Sequence, residues 1–446
     1  LEERSGRAIG HDGLLTVRTV ADLIRVLGEA GASTGESGLQ QMQEQYLDSI
    51  PQLNQVVDHQ RGRRLSIGGR WAVDFASCNY LGLDLHPAVM DAIDPLVREW
   101  GVHPSWTRAV ASPEPYQELE RRLAALVGAA DAVLFPTVSL LHLGVLPKLA
   151  GSRGALLVDE SAHHSVHEAA ELAGSRRTEV LTFRHGDLAD LTAKLRLTAS
   201  RPGRMIALDG VYSMSGAIPD LAGVLELAEA WDATLYVDDA HGFGILGEEP
   251  GPDAPFGHRG NGVARHADVP LDRLVYVAGL SKAYSSMGAF VTCARPEDRR
   301  RLITASTLVF SGPVPTASLA SALAGLEVNE REGDAIRRRL HRLTTTLTDG
   351  IRRLGLEVSN TSGFPILTVE FGALDAVVDA CRVLWDHGIL VTPAVFPAVP
   401  LRRGGVRFSV TAANTDDDLA RALTALAAAR DAGATRTRRS ANAALV

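Results

Sequence analysis

The 446-residue chain is poor in lysine: lysine and arginine total 45, yet lysine stands only at Lys148, Lys194 and Lys282. A codon-biased genome accounts for the total, but it also singles out three positions where arginine was not used. Cysteine is scarce too. Cys78, Cys293 and Cys381 form an odd, widely spaced set. That excludes a disulfide framework and fits a reducing, cytoplasmic setting. No apolar run approaches the roughly 20 residues that cross a bilayer, so no membrane span is expected. No charged-then-apolar leader opens the sequence. A formal net charge of −8 argues against a nucleic-acid partner. With 46% hydrophobic and 22% charged residues, disorder is excluded as the main state, and the length suits a large unit plus a smaller one.

Two helical patterns are expected near the start, over Val20–Leu27 and Gln41–Val57, joined by a loop over 31–38. From about residue 130 short, apolar, β-branched runs recur: Ala132–Phe135, Ala155–Val158, Val180–Phe183, Met205–Leu208, Thr234–Val237, Leu274–Ala278 and Ala289–Cys293. Helical stretches such as Tyr116–Val127 and Leu221–Trp231 lie between most of them. That alternation predicts an α/β fold, a seven-stranded, mostly parallel sheet covered by helices, with ligands bound at the carboxyl edge. Beyond residue 316 the pattern becomes a long Arg-rich helix (about 317–354), strands near Ile366–Glu370 and Val406–Val410, and a helix over Asp416–Ala432 ended by Gly433. The expected organisation is therefore an N-terminal segment 1–90, a large domain 91–316, a small C-terminal α+β domain 317–432 and a loose tail 433–446.

Among the lysines, Lys148 reads as a solvated helix-end cation and Lys194 as an exposed helix-face residue. Lys282 directly follows a strand and precedes a Gly- and Ser-rich loop. An amine there is partly desolvated, so its pKa can fall toward that of a usable nucleophile. A strand-end lysine that snorkels to water is the competing reading. A second feature, Val237-Asp-Asp-Ala-His241, ends the preceding strand with two carboxylates and an imidazole. Such a set suits a metal ion, although no His or Cys companions stand at ligand spacing. It also suits pyridoxal phosphate, whose ring nitrogen pairs with a strand-end aspartate while a lysine forms a Schiff base with its aldehyde.

Several segments occur together: Asn79-Tyr-Leu-Gly-Leu with His86-Pro, Val237-Asp-Asp-Ala-His-Gly-Phe-Gly, Ser213-Met-x-Gly216, Leu280-Ser-Lys282 and Val406-Arg-Phe-Ser-Val-Thr411. As a set, spread over about residues 65–430, they resemble the α-oxoamine synthase family of fold-type-I pyridoxal-phosphate enzymes. The resemblance implies that Lys282 forms the Schiff base and moves protons, and that Asp238 holds the pyridine nitrogen. It implies that His241 and Ser213 flank the ring hydroxyl, that Arg407 clamps an amino-acid carboxylate with Asn79 nearby, and that His163 assists the substrate carbonyl. Asp239 and His164 read as structural neighbours.

Departures accompany the likeness. Tyr116 stands where a ring-stacking histidine is expected, and the phosphate turn reads Thr137-Val138-Ser139. Gly279 replaces a threonine, leaving Ser281 as substitute, and an interfacial Ser-Thr pair reads Ser311-Gly312. The resemblance implies a homodimer that condenses an amino acid with an acyl thioester, carried by coenzyme A or a carrier protein, losing carbon dioxide to give an α-amino ketone. The basic stretch Arg61-Gly-Arg-Arg64 is either a contact for an acidic carrier or a solvated loop. Aldol-type, β-elimination or oxidative decarboxylation chemistry on the same scaffold is the alternative. A non-catalytic partner or regulator fits less well, because Lys282, Asp238 and His241 are all present and the first sixty residues are not basic.

Overall fold

The computed structural model describes residues 49–395, 398–400 and 402–443. The expected helix Val20–Leu27 and the loop 31–38 lie outside them. The described part opens with a meander of strands β1 (Val57–Arg61), β2 (Arg64–Ile67) and β3 (Arg70–Asp74). The helix expected over Gln41–Val57 therefore does not reach its end: Pro51 opens a turn, and Val57 already belongs to β1. Gly68 and Gly69, both at positive φ (56° and 77°), close the β2–β3 hairpin. Two consecutive residues in that region are what the tightest hairpin turns require, and glycine adopts it without a Cβ clash.

All seven apolar runs form strands of one sheet: β4 (Asp131–Phe135), β5 (Ala155–Asp159), β6 (Glu179–Phe183), β7 (Arg204–Asp209), β8 (Ala233–Asp238), β9 (Leu274–Gly279) and β10 (Ala289–Cys293). Their order is β4-β10-β9-β8-β7-β5-β6. Only β10 runs against its neighbours. Side chains alternate between two cores. Leu157, Ile206, Leu208, Leu235 and Val237 pack on one face, and Leu156, Val158, Met205, Ala207 and Tyr236 on the other. Burial on both faces is why these strands read as unbroken apolar runs rather than as alternating ones.

The chain then enters the 38-residue helix Thr316–Arg353. It continues through β11 (Ile366–Gly372), the helix Leu374–Asp386, β12 (Ile389–Leu390), β13 (Thr392–Ala394) and β14 (Gly404–Ser409). Strands β11, β14 and β13 form a three-stranded sheet. Strand β12 instead pairs in parallel with β3, so the N-terminal meander adds to this smaller C-terminal unit. The last helix runs Asp416–Ala443, through Gly433, where it was expected to stop. The surrounding run is rich in alanine and arginine, and one interior glycine costs only about 1 kcal/mol of helix stability. Among the described residues no helix is long and apolar enough to cross a membrane.

Candidate active site

At the carboxyl edge of the parallel strands lies a cleft of about 620 Å³, including its solvent-open part. Strand β4 passes through Pro136 into the helix Val138–Ala150. Thr137 is extended and caps that helix, its Oγ1 accepting from the Leu140 N–H at 3.2 Å. Val138 and Ser139 line the cleft. Their backbone N–H groups lie in the first turn, where helix geometry provides no internal partner, and so offer an anion site. A Cβ at Gly279 would stand 2.9 Å from Val138 Cγ2. Glycine there lets β9 approach the helix start, which is a physical reason for the missing threonine.

Lys282 follows β9 and lines the same cleft, as does the exposed Ser281. Its loop is closed by backbone bonds from Leu280 N to Gly288 O (2.9 Å) and from Ser286 N to Leu280 O (3.0 Å). Asp238, at the end of β8, is 4% exposed. Its Oδ1 accepts from Ala240 N at 3.0 Å, and its Oδ2 lies 3.4 Å from His142 Nε2. Burial, with the Lys282 and Arg407 charges behind it, holds the His241 imidazole well below its usual pKa, so it is neutral. The Tyr80 hydroxyl lies 2.8 Å from its Nδ1. His163 begins the helix His164–Ser175 at the cleft wall, and burial lowers its pKa as well.

The structure brings Thr137, Val138, Ser139, His163, Asp238, His241, Ser281 and Lys282 together around this space. Ser213 stands farther back. Its carbonyl accepts from Arg407 Nη1 at 3.0 Å. Arg407 Nη2 lies 3.4 Å from Thr392 Oγ1, while its Nε is buried without a hydrogen-bond partner. Asn79 Oδ1 accepts from Ser285 Oγ at 3.3 Å, which ties the 75–82 loop to the lysine loop.

Ser213, Arg407 and Asn79 are not among the residues that line the cleft, and neither are Tyr116 and Ser311. Tyr116 is 1% exposed in the core, its hydroxyl donating to Val314 O and its ring lying under the Arg108 guanidinium at 4.9 Å. Burial pushes its phenol up to about 12. The Gln-Glu-Leu-Glu120 helix it belongs to is structural: buried Glu120 takes the Leu134 N–H (2.8 Å) and guanidinium groups of Arg108 and Arg299. Ser311 Oγ donates to the neighbouring Gly312 carbonyl and also stands off the cleft.

Asp239 turns away from Asp238, its Oδ2 accepting from Tyr276 Oη (2.6 Å) and Val263 N (2.7 Å). Burial raises its carboxyl to about 7. Among the described residues no group of three or more His, Cys, Asp or Glu is placed to hold a metal ion. The Arg61–Arg64 stretch is largely engaged. Arg63 is 3% exposed and pairs with Asp74 and Asp84, and Arg64 pairs with Asp417 and Asp418.

Sequence reasoning missed two residues. Asp209 ends β7 in register with Asp238, lines the cleft and accepts from His163 N at 3.0 Å. Burial and the Asp238 charge raise its carboxyl well above the usual range. Its place at a strand end was a usable signal. His142 gave none, because only the fold sets it behind Asp238.

The Aminotransferase class I and II family model matches residues 72–426. The chain is 35% identical over 360 residues to 8-amino-7-oxononanoate synthase of Maricaulis maris, covering 80% of this chain and 86% of that protein. It is 35% identical over 374 residues to the enzyme of the same name from Herminiimonas arsenicoxydans, covering 83% and 92%. The structure of Sphingomonas wittichii serine palmitoyltransferase superposes with a TM-score of 0.82 at 25% identity, covering 90% of this chain and 98% of that one. A lysine and an aspartate share the cleft with a helix start suited to a phosphate, so the residues present fit the cofactor. The chain belongs to the α-oxoamine synthase family of pyridoxal-phosphate-dependent enzymes.

Proposed function

We propose that the protein condenses an amino acid with an acyl thioester, releasing carbon dioxide, to give an α-amino ketone. The observation that carries this reading is Arg407, whose two Nη atoms are held by Ser213 O and Thr392 Oγ1 while its buried Nε lacks a partner. A guanidinium fixed in this way has donor capacity left for a carboxylate. The names carried by its relatives, 8-amino-7-oxononanoate synthase and serine palmitoyltransferase, support the same reading.

The N–H groups of Val138 and Ser139 would hold the cofactor's phosphate, Lys282 its aldehyde carbon and Asp238 its ring nitrogen. Bound there, pyridoxal phosphate supplies an electron sink for negative charge at the amino acid's Cα. Lys282 takes the proton from Cα and returns one after carbon dioxide has left. Neutral His163 is suited to hydrogen-bond the acyl carbonyl. One amino acid, one thioester and one proton give one α-amino ketone, one carbon dioxide and one free thiol. The Cα–carboxylate and acyl–sulfur bonds break as a bond forms between Cα and the acyl carbon.

Amino-acid-dependent release of thiol from an acyl-coenzyme A series tests the activity; no release with any pair would refute it. Replacing Arg407 with leucine is expected to raise KM for the amino acid by about 100-fold, the factor set by losing a bidentate charged contact. Its kcat should change far less. A fall in kcat at constant KM would remove Arg407 from carboxylate binding.

The same reading includes a homodimer. Phe310 (87% exposed), Val110 (78%) and Val102 (73%) are large apolar side chains left in water. Their loops are joined by the His103 Nε2–Pro313 O contact at 3.1 Å. Phe310→Glu is expected to weaken dimerisation by roughly 100-fold, because a two-fold interface loses the buried phenyl twice. Sedimentation at micromolar concentration checks this, and an unchanged dimer would place the interface elsewhere.

A further inference from the structure

His142 lies one turn beyond the helix start that borders the cleft, 0% exposed and outside every motif singled out from the sequence. Nδ1 has a hydrogen-bonding partner, whereas buried Nε2 makes no hydrogen bond and faces a carboxylate. Nδ1 is 3.0 Å from Ser165 Oγ, and Nε2 is 3.4 Å from Asp238 Oδ2. Ser165 Oγ also lies 2.7 Å from His163 Nδ1. Four side chains thus form a chain from Asp238 on the cleft floor to His163 on its wall.

The charge on His142 follows from its surroundings. Burial lowers its basicity; Asp238 opposes this, while His163 and Lys282 reinforce it. The ring is therefore neutral and carries a single proton. On Nδ1, that proton would leave a lone pair on Nε2 facing a carboxylate oxygen, with no hydrogen between two acceptors. On Nε2, it gives Asp238 a donor, and the Ser165 hydroxyl can then donate to Nδ1. Only the second arrangement turns a donor rather than a lone pair toward the Asp238 carboxylate.

We propose that His142, oriented by Ser165, is a positioning residue that directs its Nε2–H at Asp238 and keeps that carboxylate aimed at the cofactor's ring nitrogen. This rests on the assignment of Asp238 made under Proposed function. The role is that of an outer partner fixing an inner one, as when a carboxylate fixes a metal-bound histidine.

The test compares the full-length protein with His142→Gln, His142→Phe, Ser165→Ala and Asp238→Asn. Two quantities are read: the affinity of the stripped protein for pyridoxal phosphate, and the pH response of the visible band of lysine-bound cofactor. A Gln amide N–H can occupy the place of Nε2–H, whereas Phe keeps the ring and removes the donor. His142→Phe is expected to weaken cofactor binding roughly tenfold or more, the factor for losing one donor directed at a charged group, and to shift the band's pH response. His142→Gln should restore both toward wild type. Ser165→Ala should move both in the direction of His142→Phe, and it carries the test if the Phe variant does not fold. Wild-type behaviour of His142→Phe beside a perturbed Asp238→Asn would overturn this inference alone. An unperturbed Asp238→Asn would overturn the assignment of Asp238 and this inference with it.

Discussion

Lys282→Ala protein is expected to bind pyridoxal phosphate without a covalent link and to lose turnover by on the order of 10⁴-fold or more, since one group serves as both nucleophile and proton carrier. The loop that presents this lysine is closed by its own backbone bonds and is anchored to Asn79 through Ser285, so the substitution removes an amine without dismantling its support. Lys282→Arg should fail equally. A guanidinium stays protonated and cannot condense with the aldehyde. Borohydride reduction followed by peptide mass analysis provides the check: the wild type should carry the cofactor on the peptide containing Lys282, and neither variant should carry it. The two other lysines serve as internal controls. Lys148 donates to Thr304 Oγ1 at the protein surface, and Lys194 lies in the helix Leu188–Leu197, which contributes nothing to the cleft.

Asp238→Asn carries the second large effect. The carboxylate is 4% exposed, and an ionic partner at such depth is worth several kcal/mol when its loss leaves the opposing charge unpaired. We expect kcat to fall by about 10²–10³-fold, the equivalent of roughly 3–4 kcal/mol. The asparagine amide cannot keep a ring nitrogen protonated, so the electron sink weakens even when the cofactor is bound. Steady-state kinetics on fully loaded protein separates this from simple loss of cofactor. A loaded Asp238→Asn enzyme with wild-type kcat would remove Asp238 from the chemistry.

Much of this architecture was legible because parallel strands buried on both faces write themselves as short β-branched runs. All seven were visible, from Asp131–Phe135 to Ala289–Cys293. Lys282 was legible for a chemical reason, since arginine cannot replace it. Other features depended on information that local sequence does not hold. The β1–β3 meander was not read from the sequence, where only a helix ending at Val57 was expected, although Gly68-Gly69 marked its hairpin. The last helix outlasts Gly433 because its neighbours outweigh one glycine. Tyr116 illustrates the limit most clearly. Its place beside a motif suggested a ring-stacking role, yet the buried Glu120 next to it recruits Arg108 and Arg299 and draws that whole turn into the core. His142 shows the converse, a residue with no motif that gains its meaning from a strand end almost a hundred residues away.

The condensation itself is tested most directly by stoichiometry. Cofactor-loaded protein is incubated with carboxyl-labelled amino acids and a series of acyl-coenzyme A thioesters. Labelled carbon dioxide, free thiol and the mass of the amine product are then followed together. The account predicts a productive pair that releases carbon dioxide and thiol in equal amounts and yields one α-amino ketone for each. Carbon dioxide released without thiol or ketone would contradict it.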